Sequence, residues 1–211
     1  MKITPIPYQL RFDLRLGIQK SSGGPRSPGL HLSDIYNTLL KELHPERYER
    51  FADDQASLEL FGEVGFCVEH IVERGFKGRH TERPEEHRSE EGIIISPDLL
   101  IFEENGDVRI GELKAAWMSS REVPRVGDLP GFGSFPPKFD KYLIQVKGYC
   151  HVLGTPLATL VVFFVNGPYD CKNRDQDLKP EILAWDLTFS PMELEENWRI
   201  LIAFAKQKGW L

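Results

Sequence analysis

The sequence predicts an α/β fold with a mixed central sheet flanked by helices, and three stretches carry that reading. Residues 93–117, IIISPDLLIFEENGDVRIGELKAAW, hold two apolar, β-branched-rich runs around Glu104-Asn105-Gly106, the pattern of a tight antiparallel hairpin. Residues 138–154, KFDKYLIQVKGYCHVLG, place Phe139, Leu143, Val146, Cys150 and Leu153 at three- and four-residue spacing, the apolar face of a helix. Residues 156–165, PLATLVVFFV, form a nearly continuous apolar run, as expected for a strand covered on both faces.

Register decides what the hairpin can do, because side chains alternate faces along a strand. A two-residue Asn-Gly loop would put Asp98 and Glu112 on opposite faces. A three-residue Glu-Asn-Gly loop, with Gly106 in the left-handed region, closes on Glu103 and Asp107 instead. It sets Phe102 opposite Val108, Leu100 opposite Ile110, and Asp98 opposite Glu112. Lys114 follows on the same face, while Arg109, Glu103 and Asp107 gather on the other. The three-residue loop is therefore the expected one.

Opposed carboxylates repel, and a divalent cation between them is the natural remedy. Oxygen donors without clustered Cys or His point to a hard ion, Mg²⁺ or Mn²⁺, rather than zinc. Lys114 would lie beside it, holding a nucleophilic water or neutralising developing charge. That arrangement suits metal-assisted phosphodiester hydrolysis.

Pro97-Asp98, a hairpin, and then Glu112-Leu113-Lys114 resembles the signature of the PD-(D/E)XK nucleases. Gln145-Val146-Lys147-Gly148-Tyr149 resembles the Q-x-x-x-Y motif of the RecB-like subgroup, which includes lambda exonuclease. The resemblance spans roughly residues 57–190. It implies a restriction-endonuclease-like core in αβββαβ order, a DNA substrate and exonucleolytic action. It also implies Asp98, Glu112 and the Leu113 main-chain carbonyl as metal ligands, with Lys114 activating water. Gln145 would orient water or a phosphate oxygen, and Tyr149 would donate to phosphate. A stand-alone nuclease of this kind fits a phage-encoded protein acting in the host cytoplasm, with a recombination or replication partner or a homo-oligomer as further expectations. A structure- or sequence-selective endonuclease, a non-catalytic nucleic-acid-binding module and a hydrolase of another phosphate remain open alternatives.

The other elements follow in order. Residues 1–50 read as an N-terminal extension: a short strand in 8–17, a Gly/Pro/Ser-rich loop, then a helix capped by Ser33 with Leu39, Leu40 and Leu43 inward. Residues 57–76 have helical spacing, with Leu60, Phe61, Val64, Val68, Ile71 and Val72 on one face and Glu69 at its margin. The resemblance includes a glycine four residues before a glutamate, which Gly65 and Glu69 match, so Glu69 is the expected third acidic ligand. The charge-rich 77–92 segment reads as an edge strand or loop, and no catalytic role is assigned to His80 or His87.

The long Gly/Pro-rich loop after Trp117 is a candidate substrate gate carrying Arg121 and Arg125. Lys138 and Lys141 share the stripe of Gln145 and Tyr149 and are candidate phosphate contacts. A second strand is expected over 181–187, and an amphipathic closing helix over 192–208 with Leu194, Trp198, Leu201 and Ile202 inward.

At 211 residues the chain suits one well-buried domain, with residues 191–211 closing it. No apolar run reaches membrane-spanning length. The scattered Cys67, Cys150 and Cys171 form neither a disulfide framework nor a metal set, which fits a reduced cytosol. The formal charge of −6 weighs against a nucleic-acid partner, though binding depends on where basic residues sit and a bound cation would reverse the field of an acidic site.

Overall fold

A computed structural model describes residues 27–48, 65, 74–76, 80–116, 123, 137–164 and 181–211. Helix α1 spans Leu32–Leu43, and a short α2 spans Pro45–Tyr48. Strands β1 (His80–Glu82), β2 (His87–Arg88), β3 (Ile94–Ile95), β4 (Leu99–Phe102) and β5 (Val108–Ala116) follow. Helix α3 (Pro137–Leu153) connects to β6 (Leu157–Phe164), and β7 (Glu181–Thr188) leads into α4 (Pro191–Gln207).

Five strands form one mixed sheet in the order β1-β4-β5-β6-β7. β5 and β6 run parallel, as a crossover through α3 allows, and the other neighbours are antiparallel. β2 and β3 form a separate two-stranded ribbon.

The hairpin adopts the expected register. Phe102 pairs with Val108 and Leu100 with Ile110. The Glu103 N–H donates to the Asp107 carbonyl at 2.9 Å, and Gly106, at φ +89°, donates to the Glu103 carbonyl at 3.0 Å. A side chain is strained at that φ, so the glycine determines the loop and the loop determines the register. At Gly111, an added Cβ would sit 2.9 Å from the Leu99 Cβ, so only hydrogen lets β4 and β5 pair this closely.

One departure concerns the first apolar run. It is a single strand in the sequence pattern, but Ser96-Pro97 divides it into β3 and β4, because Pro97 has no N–H for the ladder. β3 pairs with β2 and with the segment leading into α1, where the Ile94 N–H donates to the Leu30 carbonyl at 2.8 Å.

The sheet's two faces bury different cores. Ile110, Ala116, Leu160, Val162 and Phe164 face α1, α3 and α4 in the larger one. Leu99, Leu113 and Val161 face the other way, against Phe76 from a 3₁₀ turn at Arg74–Phe76 where the sequence predicts the end of a helix. The larger core contains Phe139 and Cys150 of α3 and Leu194, Trp198 and Leu201 of α4, as the spacing predicts; Phe204 is buried with them, and Ile202, expected inward, is only partly buried against the cluster.

Two expectations for α1 fail. Its N-cap is His31 rather than Ser33; the His31 N–H donates to the Asp34 carboxylate at 3.2 Å, and its ring contacts the Ser27 carbonyl at 2.8 Å. Leu43 is exposed, because the helix ends there with the sheet already covered by Ile35, Tyr36 and Leu40. No helix among the described residues is long and apolar enough to cross a membrane.

Candidate active site

β5 carries Ile110, Glu112, Lys114 and Ala116 on the helix-covered face, by strict alternation. Burying a residue such as Ile110 stabilises the fold by about 1.5–3 kcal/mol. The same environment penalises a carboxylate unless charge and hydrogen bonds compensate it. Glu112 is nonetheless fully buried, at 0% exposure. Its Oε1 is in contact with the Lys114 ammonium.

Asp98 enters from the start of β4, directly after Pro97. Its Oδ2 accepts the Leu113 N–H at 2.8 Å and lies 3.4 Å from Lys114 Nζ. The same Nζ donates to the Leu113 carbonyl at 3.1 Å. Three oxygens from three residues thus converge on one positive centre, the Lys114 ammonium. Its side chain is only 17% exposed, and that of Asp98 18%. These are hard donors, two carboxylates and a carbonyl, and they fit Mg²⁺ or Mn²⁺ rather than a thiophilic ion. Among the described residues no cluster of three or more His, Cys, Asp or Glu side chains completes an all-side-chain metal site.

Helix α3 brings Gln145 and Tyr149 over this face. Both are buried, at 7% and 5% exposure, rather than lying on a helix-surface stripe with the lysines. The reason is α1, which packs against α3: Leu32 touches Gly148, where an added Cβ would sit 2.7 Å from Leu32 Cδ2. One turn along each helix, the Tyr36 hydroxyl donates to Gln145 Oε1 at 3.0 Å. Gln145 Nε2 in turn donates to the Tyr149 oxygen at 2.6 Å. Burial raises the Tyr149 pKa well above the usual phenol value, and the nearby Glu112 charge raises it further. Tyr149 is therefore a protonated donor at any working pH. Lys141 caps the assembly, its Nζ 5.7 Å above the Tyr36 ring.

The structure thus brings together Asp98, Glu112, Leu113, Lys114, Gln145 and Tyr149. Lys138 belongs to α3, with its side chain outside the described residues, and Glu69, Arg121 and Arg125 lie outside them too. Tyr36 is the site neighbour that sequence reasoning missed. The only local signal was its place on the inward face of α1, which an ordinary core tyrosine shares.

Arg109 serves the opposite face, donating to Glu103 at 3.0 Å and to the Ala158 carbonyl at 3.1 Å and pairing with Asp186 at 3.6 Å. Asp107, expected beside it, accepts instead from Asn105 at 2.8 Å within the turn. A cavity of about 920 Å³ opens at this end, lined by Glu103, Asn105, Arg109 and Asp186 among others, and it contains none of the candidate site residues.

Fold and site together define an α/β protein with a buried acidic centre at the edge of a parallel crossover. No protein-family model matches the chain, and no curated protein matches it. Among solved structures it is similar to the alkaline exonuclease LHK-Exo from Laribacter hongkongensis, with 15% identity, 85% of this chain and 87% of that one covered, and a TM-score of 0.49. It is also similar to a phage-related exonuclease from Haemophilus somnus 129PT, with 13% identity, coverage of 86% and 93%, and a TM-score of 0.43. A third is SSO0001, with 12% identity, coverage of 93% and 87%, and a TM-score of 0.48.

Proposed function

We propose that this protein is a Mg²⁺- or Mn²⁺-dependent nuclease that hydrolyses DNA phosphodiester bonds, acting from strand ends. The observation that carries the reading is the convergence of Asp98, Glu112 and the Leu113 carbonyl on the Lys114 ammonium inside a mostly apolar core. Apolar side chains of similar volume would stabilise the fold here as well as a buried ion pair does, so fold stability alone gives no account of these charges at this depth.

Asp98, Glu112 and the Leu113 carbonyl would hold the metal. When bound, it supplies Lewis-acid neutralisation of charge developing on the phosphate. The Leu113 N–H fixes the Asp98 carboxylate, so the donor set is organised by backbone on one side and by strand register on the other. Lys114 balances the two carboxylates and, beside the scissile phosphate, holds and orients the attacking water. Tyr149 presents a hydroxyl donor for a phosphate oxygen, and the Gln145 amide aligns it. Exonuclease action rests on the Gln145–Tyr149 motif and its resemblance to end-degrading enzymes.

The test is a gel assay with end-labelled linear, nicked and closed circular DNA, in Mg²⁺, Mn²⁺ or chelator, for wild type and Asp98→Asn. The expected result is metal-dependent loss of the linear substrate, sparing of the closed circle, and no activity in the variant. Cleavage of the closed circle would make the protein an endonuclease. Absence of metal-stimulated cleavage at high protein concentration would make it a non-catalytic binding module.

A further inference from the structure

We propose that Tyr36, from the N-terminal helix and far from the acidic residues in sequence, is a positioning residue that sets the direction of the Gln145–Tyr149 hydrogen-bond chain. The proposal rests on the nuclease reading for its functional consequence. Its geometry stands independently.

Three buried polar groups meet end to end. Tyr36, at 3% exposure, donates its hydroxyl to Gln145 Oε1, and Gln145 Nε2 donates to the Tyr149 oxygen. A carboxamide has one accepting and one donating side, so engaging both gives the chain a polarity. In this polarity the Tyr149 oxygen is an acceptor for Gln145, and its own proton must point elsewhere. In the opposite polarity the Tyr149 proton would turn back to the amide, leaving the bare oxygen lone pairs in the field of the Glu112 charge. That arrangement is repulsive. The Glu112 field and the Tyr36 donor therefore favour the same state, in which the Tyr149 proton is not spent on Gln145.

Without the Tyr36 hydroxyl, Gln145 Oε1 loses its buried donor, and the amide keeps only the weaker bias that the Glu112 field imposes through Tyr149. The contact is possible because Gly148 lets Leu32, one turn before Tyr36, pack directly on α3. An ordinary packing role for Tyr36 would need its ring alone. The hydroxyl is the part this proposal uses.

The experiment compares full-length wild type, Tyr36→Phe, Gln145→Leu and the double variant. Steady-state cleavage of end-labelled duplex in Mn²⁺ is measured alongside thermal denaturation in chelator. For Tyr36→Phe, kcat should fall about 10- to 100-fold, the range for removing a group that orients a ligand or catalytic side chain. KM should stay within about 2-fold, because the loss is in the transition state. The double variant should be no slower than Gln145→Leu alone, since Tyr36 acts through the amide. A wild-type kcat in Tyr36→Phe, or losses that multiply in the double variant, would overturn the proposal.

If wild type shows no metal-dependent cleavage, the nuclease reading falls, and the denaturation cycle then decides the positioning claim. Non-additive midpoints for the two substitutions uphold it, and additive midpoints overturn it.

Discussion

Replacing Lys114 with alanine perturbs the site where its electrostatics are most concentrated. The ammonium touches Glu112, lies 3.4 Å from Asp98 and bonds the Leu113 carbonyl at 3.1 Å. Removing one member of a buried pair leaves the other charge uncompensated, at about 3–5 kcal/mol. Asp98 keeps the Leu113 N–H, so the burden falls on Glu112, and the lower figure, about 3 kcal/mol, applies. For a chain of this length that is a Tm lower by about 6–12 °C in chelator. Mn²⁺ at about 100 times its Kd adds about 2.7 kcal/mol, which offsets most of the loss. Mn²⁺ should therefore raise the Tm of Lys114→Ala more than that of wild type, where the ammonium competes for the same oxygens. Cleavage should be abolished with Mn²⁺ or Mg²⁺ present. The companion Lys114→Ala/Glu112→Gln removes the stranded charge and should regain stability without regaining activity. Differential scanning fluorimetry and the gel assay read both quantities. A Tm in chelator matching wild type, or cleavage at the wild-type rate with Mg²⁺, would rule out these roles for Lys114.

Two further outcomes concern the scaffold. In Gly148→Ala the new methyl meets Leu32, itself 1% exposed and unable to swing aside, so overpacking of about 1–3 kcal/mol outweighs the roughly 1 kcal/mol that alanine gains in a helix. Thermal denaturation should show a lower Tm, and kcat should fall because Tyr36 is carried away from Gln145; a raised Tm would show that α1 gives way freely. Ser190→Ala removes the hydroxyl that caps α4, which accepts the Glu193 N–H at 3.2 Å and donates to its carboxylate at 2.9 Å, at about 1 kcal/mol with activity unchanged. The Ser190 backbone N–H foremost, with its hydroxyl, holds the Glu193 pKa below the usual carboxylate range. That contribution is present above the ordinary value and is lost as pH falls through the folded one, so the wild-type advantage should narrow in acid. A gap that widens in acid denaturation curves would contradict it.

The local geometry of the acidic pair is legible from the residues alone. Gly106 permits the three-residue loop, the loop sets the register, and strict alternation puts Glu112 and Lys114 on one face. The helical spacing of α3 and the unbroken apolar run of β6 were legible for the same reason: each is a short-range pattern of burial with a fixed period. The remainder depends on contacts between elements distant in the chain. Whether Gln145 and Tyr149 sit on a surface or inside depends on α1 covering them, and Tyr36 reaches Gln145 across 109 residues of chain. Ser96-Pro97 ends one strand and starts another because β3 finds partners in β2 and the segment leading into α1, and no local pattern names those partners. Periodicity states which side of an element is apolar. Only packing states what that side meets, and the chemistry of a buried polar group depends on what it meets.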